Sequence, residues 1–195
     1  SYLIAQEELD LIDKLYFDAL RLGNILNDVT IAEPYLRDAN IIGFDMKSLS
    51  WQATNIASGN PNGIDARTIC ALARYAGISD RLDIFGVFEL PTSNVFNQLL
   101  SQIIWYFIEG YSCRFDEYPV LTSKGFTKYT VALSDMEMIF FQSEKSNRWW
   151  LEVTNHTYLN NKNKTMTLLP CTHQDYLDAC NDKIPDMWWK AIKRG

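Results

Sequence analysis

Apolar residues recur three and four positions apart from Leu9 to Leu22 (Leu9, Ile12, Leu15, Tyr16, Ala19, Leu22). This spacing predicts a helix over 6–22, with Gly23 as its stop. Thr30 is placed to cap a second helix running through Arg37, which Pro34 keeps short or late. Residues 40–45 (NIIGFD) give a different signal: a brief apolar run that ends on an acid and enters a loop, as strands buried in parallel sheets do. Residues 46–63 are long and polar and close on SGNPNG, and loops of that length in compact domains are usually functional or mobile. Residues 64–76 (IDARTICALARYA) return to helical spacing, with Gly77 as the expected end. Leu82 to Phe88 repeats the strand pattern and closes on Glu89, after which Thr92 or Ser93 can cap a long apolar helix to about Cys113. The order helix, strand, loop, helix, strand, helix predicts an α/β fold with parallel strands.

Beyond residue 113 the pattern shortens. Residues 126–133 (FTKYTVAL), 138–142 (MIFFQ), 149–153 (WWLEV) and 166–169 read as short strands, with a polar loop at 154–165. Residues 173–181 read as a helix, and 185–190 as a further turn or two. The expected organisation is therefore an α/β part over 1–113 and a small α+β meander over 114–195. In a strand, Trp149 and Trp150 point to opposite sides, and packing of the tail on the α/β layer through these rings is favoured over an exposed binding surface. Thr172, between Cys171 and His173, is suited to cap the helix that follows.

Composition narrows the function classes. The chain has 195 residues, 47% of them hydrophobic, enough for one ordinary core with a small appendage. Eighteen Lys and Arg against 24 Asp and Glu give a net charge of -6, the wrong sign for coating nucleic acid or anionic lipid. No apolar run reaches membrane-spanning length. The 4 cysteines form no C-x-x-C pair and read as buried thiols of a cytoplasmic protein. With only 2 histidines, a His-rich metal site or a Ser-His-Asp triad has little raw material.

Chemistry concentrates at the strand ends. Ligands of open α/β sheets bind outside the carboxyl ends of the strands, and Asp45 and Glu89 both stand there. If the strands are neighbours, the two carboxylates face one crevice, where they suit a hard metal ion or a guanidinium-like cation. The alternative is that each caps its loop or pairs with a nearby base.

Three segments, IIGFDMKSL, NPNGIDARTICALARYAGISDRLDIFGVFELP and NVFNQLLSQIIWYFIEG, carry a family likeness. They resemble the C-terminal part of the arginase (ureohydrolase) superfamily, which includes agmatinase and formimidoylglutamase. The tail and the first helix resemble an arginase-like or formimidoylglutamase-like bacterial subgroup. The resemblance implies a partial three-layer α/β/α parallel sheet with a C-terminal extension. It also implies hydrolysis of a guanidino or formimino C–N bond by a two-manganese site in the intact protein. On that likeness Asp45 matches the first metal ligand and Glu89 the acid that grips the cationic end of the substrate. Asn60 and Asn62 border the substrate.

The chain departs from the family pattern at Lys47, where a second acidic ligand belongs, and it lacks the family's G-G-x-H and D-A-H-x-D segments. The expectation is therefore that this chain alone is inactive and binds no manganese tightly. Lys47 should pair with a carboxylate in the crevice. The competing reading is a non-catalytic, arginase-like binding or assembly module. A half-sheet with apolar strands also predicts a homo-oligomer or a missing N-terminal half to cover it.

Overall fold

The computed structural model describes residues 5–55, 60–119, 124–133, 136–154 and 166–194. They form two compact units: the continuous stretch 20–117, and a second unit that joins the residues up to 19 with those from 118 onward. The tail thus starts close to the expected 113/114 boundary, but the first helix groups with the tail and not with the α/β part.

The continuous unit opens with α2 (Leu22–Asn27), a 3-10 turn at 29–32 and α3 (Glu33–Arg37). Asp28, not Thr30, is the cap: its carboxylate accepts the Thr30 N–H at 2.9 Å. Strand β1 (Ile41–Asp45) follows, then a 3-10 turn at 46–48, α4 (Trp51–Thr54), α5 (Ala66–Ile78), β2 (Ile84–Phe88) and α6 (Asn94–Ser112). The two strands are parallel, in register from Ile41 opposite Ile84 to Asp45 opposite Phe88. Ile42 and Phe44 enter a core built with Ile69, Ala73 and Ala76 of α5 and Phe96, Leu99 and Ile103 of α6. Phe85 extends it, edge-on to Phe44 and stacked on Phe107 of α6 at 4.4 Å between centroids.

Two expectations change here. The strands are apolar on both faces, yet only the face toward α5 and α6 is covered; Ile41, Ile84 and Phe88 of the other face are exposed. Gly77 does not stop its helix, which runs on to Ile78. Its missing side chain serves packing instead: a Cβ there would lie 2.1 Å from the Phe107 carbonyl oxygen, and one at Gly110 2.2 Å from that of Arg74. The two glycines let α5 and α6 touch backbone to backbone. Ser93 fixes the start of α6, accepting the Phe96 N–H at 3.0 Å while its hydroxyl donates to the Thr54 carbonyl at 2.7 Å.

In the other unit, α1 (Gln6–Lys14) is shorter than the predicted 6–22 helix. Tyr16 adopts a left-handed conformation (φ 56°), which a continuing right-handed helix cannot contain. Strands β3 (Phe126–Ala132), β4 (Glu137–Ser143), β5 (Trp149–Thr154) and β6 (Met166–Cys171) form an antiparallel meander in that order. Helices α7 (His173–Cys180) and α8 (Asp186–Arg194) follow. Trp149 and Trp150 do face opposite sides, and both are buried. The rings were expected to pack on the α/β layer, but their clusters are built from the tail itself: Trp149 with Met138, Phe140, Leu151, Cys171 and Ala179, and Trp150 with Phe141 and Leu168, because the pleat of β5 turns one ring to each face of its own sheet. Thr172 caps α7 through a reciprocal pair of hydrogen bonds with Asp175. Lys190 of α8 bonds Asp18 at 3.0 Å, and the Lys193 ammonium lies 5.2 Å from the centre of the Tyr16 ring, so the first and last segments of the chain meet. The polar loop read at 154–165 lies almost wholly outside the described residues, which include only Thr154 of it.

Candidate functional site

The parallel register carries Asp45 and Glu89 to the same end of the sheet, since Glu89 is the residue after Phe88, the partner of Asp45. Each then does local work. One carboxylate oxygen of Asp45 accepts the Lys47 N–H at 2.9 Å, and its carbonyl accepts the Ser48 hydroxyl at 2.6 Å, so Asp45 closes the 3-10 turn after β1. Glu89 sits in the left-handed region (φ 54°), uncommon for a residue with a side chain, and turns the chain out of β2 toward Pro91.

That turn brings Glu89 and Lys47 together. The Lys47 ammonium lies 3.0 Å from a Glu89 carboxylate oxygen, and both side chains are largely exposed. The hydrogen bond and charge of Glu89 raise the Lys47 pKa above its ordinary value, and Asp45 adds to the effect. Lys47 therefore stays protonated throughout the neutral range. The site holds two carboxylates and one ammonium, with the ammonium already engaged by the acid that the resemblance assigns to a substrate cation.

Asn60 and Asn62 lie on a neighbouring segment. The Asn60 carbonyl accepts the Trp51 N–H at 2.9 Å, and its side chain accepts the Asn62 N–H at 3.1 Å in an Asx turn. Gly63 lets this segment pass the backbone of Leu49 and Ser50, where a Cβ would fall 2.4 Å from the Leu49 carbonyl carbon. The contacts seen for both asparagines are therefore those of a turn that laces the stretch after β1 to the stretch before α5. Asp45, Lys47 and Glu89 converge; Asn60 and Asn62 form the neighbouring turn. Among the described residues no group of three His, Cys, Asp or Glu side chains is placed to hold a metal ion.

Sequence reasoning missed one feature of the strand pair. Gly43 and Gly86 stand opposite one another, and the Phe88 ring lies over both; a Cβ at Gly86 would come 2.7 Å from the ring, and one at Gly43 3.1 Å. The signal was available in the matched positions of the glycines within IIGFD and IFGVF. Compared with known proteins, the chain matches no family model and no curated protein.

Proposed function

We propose that this chain is a non-catalytic, arginase-like module that binds or assembles, derived from the C-terminal part of a ureohydrolase-type fold. The observation that carries the reading is the Lys47–Glu89 ion pair at 3.0 Å. A ureohydrolase needs that glutamate free to grip a guanidino or formimino cation, and it needs metal-ligating acids where Lys47 stands. Here an ammonium of the chain itself takes the place of the incoming cation, so a substrate has to displace it before it can bind. Manganese chemistry then belongs to an intact, catalytic form; in this chain Asp45 is the one matched ligand, and Asn60 and Asn62 keep their turn.

The exposed outer face of β1–β2 supports the finer architecture: in a three-layer α/β/α arrangement a further layer covers Ile41, Ile84 and Phe88. A cytoplasmic location is supported by four free thiols, of which Cys70 and Cys171 are buried as expected while Cys113 and Cys180, each at the end of a helix, are exposed. No helix among the described residues is long and apolar enough to cross a membrane.

The test is calorimetric titration with a guanidino compound, with and without manganese, beside an assay of C–N hydrolysis. The reading expects no turnover and no saturable binding by the unaltered chain, and weak binding of the guanidinium once Lys47→Ala frees Glu89. Turnover by the unaltered chain, or tight guanidino binding with Lys47 in place, overturns it.

A further inference from the structure

Helix α6 is amphipathic only in part. Phe96, Leu99, Ile103 and Gly110 are its buried side. On its outer side, at helical spacing, stand Ile104, Trp105, Ile108 and Tyr111. Trp105 is 68% exposed, Ile108 and Tyr111 are more than half exposed, and Ile104 is nearly so. Solvent-facing sides of surface helices normally carry charge. Of the 19 residues of α6 the only charged one is Glu109, at the flank of this stripe, and it is engaged by Arg74 at 3.1 Å. The next charge, Arg114, lies with its guanidinium 4.2 Å from the centre of the Tyr111 ring and donates to the Gly77 carbonyl. The one acid at the margin is thus paired within the chain, the one cation is held by a ring and a carbonyl, and the middle of the stripe is apolar.

We propose that two copies of this chain associate through the outer face of α6, with Trp105 and Ile108 at the centre of an isologous helix–helix contact. This rests on the assembly reading above and names its surface. Two observations favour a second copy as the occupant. The first is area. At the observed exposures the four side chains offer roughly 450 Å² per copy, and the exposed Ser101 and Ser112 bring the patch to about 550 Å², close to the roughly 600 Å² per copy at the low end for a specific dimer. The second is charge. Each copy carries a net charge of -6, which opposes self-association at most surfaces, whereas this stripe presents no unpaired carboxylate to its own image, its one acid, Glu109, being engaged by Arg74. The other exposed apolar face, on β1–β2, is partly filled by the Phe88 ring lying over Gly43 and Gly86; the α6 stripe has no such filling.

Sedimentation equilibrium of the full chain from about 1 to 100 μM tests this, that range being where an interface of this size gives a measurable dimer. A dimer is expected, with Trp105→Glu raising its dissociation constant at least about tenfold, as loss of a central aromatic does. Ile84→Glu, on the open sheet face, is expected to leave it unchanged. Hydrogen exchange of the unaltered chain, which needs no variant to fold, should show protection of 104–111 that grows with concentration. A dimer broken by Ile84→Glu and not by Trp105→Glu overturns the α6 surface and leaves the assembly reading standing. A monomer throughout the range, or protection of 104–111 that ignores concentration, overturns self-association through α6. Manganese-dependent hydrolysis by a Trp105→Glu monomer would instead defeat the non-catalytic reading.

Discussion

Lys47 and Glu89 show what a single exchanged residue does to a strand-end crevice. The sequence alone placed an ammonium where the resemblance puts a metal ligand, and required it to find a carboxylate. Its partner is Glu89, because the left-handed backbone at Glu89 swings that side chain back over the end of β1. A positive φ at a glutamate has no sequence signature, which is why the partner was not readable in advance. Asp178 is the mirror case: the Gln174 amide bonds its carboxylate at 2.8 Å, Lys183 bonds it at 3.0 Å, and its pKa is lowered, chiefly by Gln174. The two act at opposite ends of the pH scale. A lysine whose folded pKa is raised stabilises fully below its unfolded value of about 10.4 and loses that contribution as pH climbs through the higher folded value. An aspartate whose folded pKa is lowered stabilises above about 3.9 and loses that contribution as pH falls through the lower folded value. Neither pair therefore changes stability through the neutral range. NMR titration of the Lys47 side chain should give a midpoint above that of a free lysine, returning toward it in Glu89→Gln. An unchanged midpoint in that variant would show that the ion pair does not persist in solution.

At the scale of elements, strand positions and the long α6 were legible because apolar runs and a Ser cap fix them locally. Helix ends were less so. Gly77 looks like a stop until the partner helix is known, and Tyr16 looks like a helical position until its backbone turns left-handed. Burial of the strands on one face only was also unreadable, since it depends on where α5 and α6 both settle. The paired glycines of α5 and α6 give a measurable test. Gly110→Ala gains about 1 kcal/mol of helix propensity. It also pushes a Cβ to 2.2 Å from the Arg74 carbonyl, a backbone atom that cannot swing away. The expected net result is a loss of about 1–3 kcal/mol in urea unfolding, the usual cost of overpacking. Gly23→Ala, with open space around its Cβ position, should be neutral or stabilising by up to about 1 kcal/mol. Equal effects at the two sites would mean that α5 and α6 separate without cost.

For the whole molecule, the tail was readable as a meander, because its short strands are close in sequence and pair with their neighbours. The membership of the first helix was not, since nothing in residues 6–14 names a partner more than a hundred positions away. Lys190 with Asp18, and Lys193 over Tyr16, tie the segment that follows that helix to α8. A chain shortened to begin at Leu20 should therefore show faster hydrogen exchange in α8 and unaltered exchange in α5 and α6. Faster exchange in α5 as well would mean that the units unfold together.

The same path through the molecule sets an order of events during synthesis. Residues 20–117 emerge as one piece and hold both partners of every pairing in their parallel sheet, so this unit can close while the ribosome is still adding the tail. Residues 16–18 leave the ribosome before this unit but meet Lys190 and Lys193 only after it has emerged and the tail has followed. A segment made before the continuous unit finds its place after it. The closing of a loop that long is an entropically costly step.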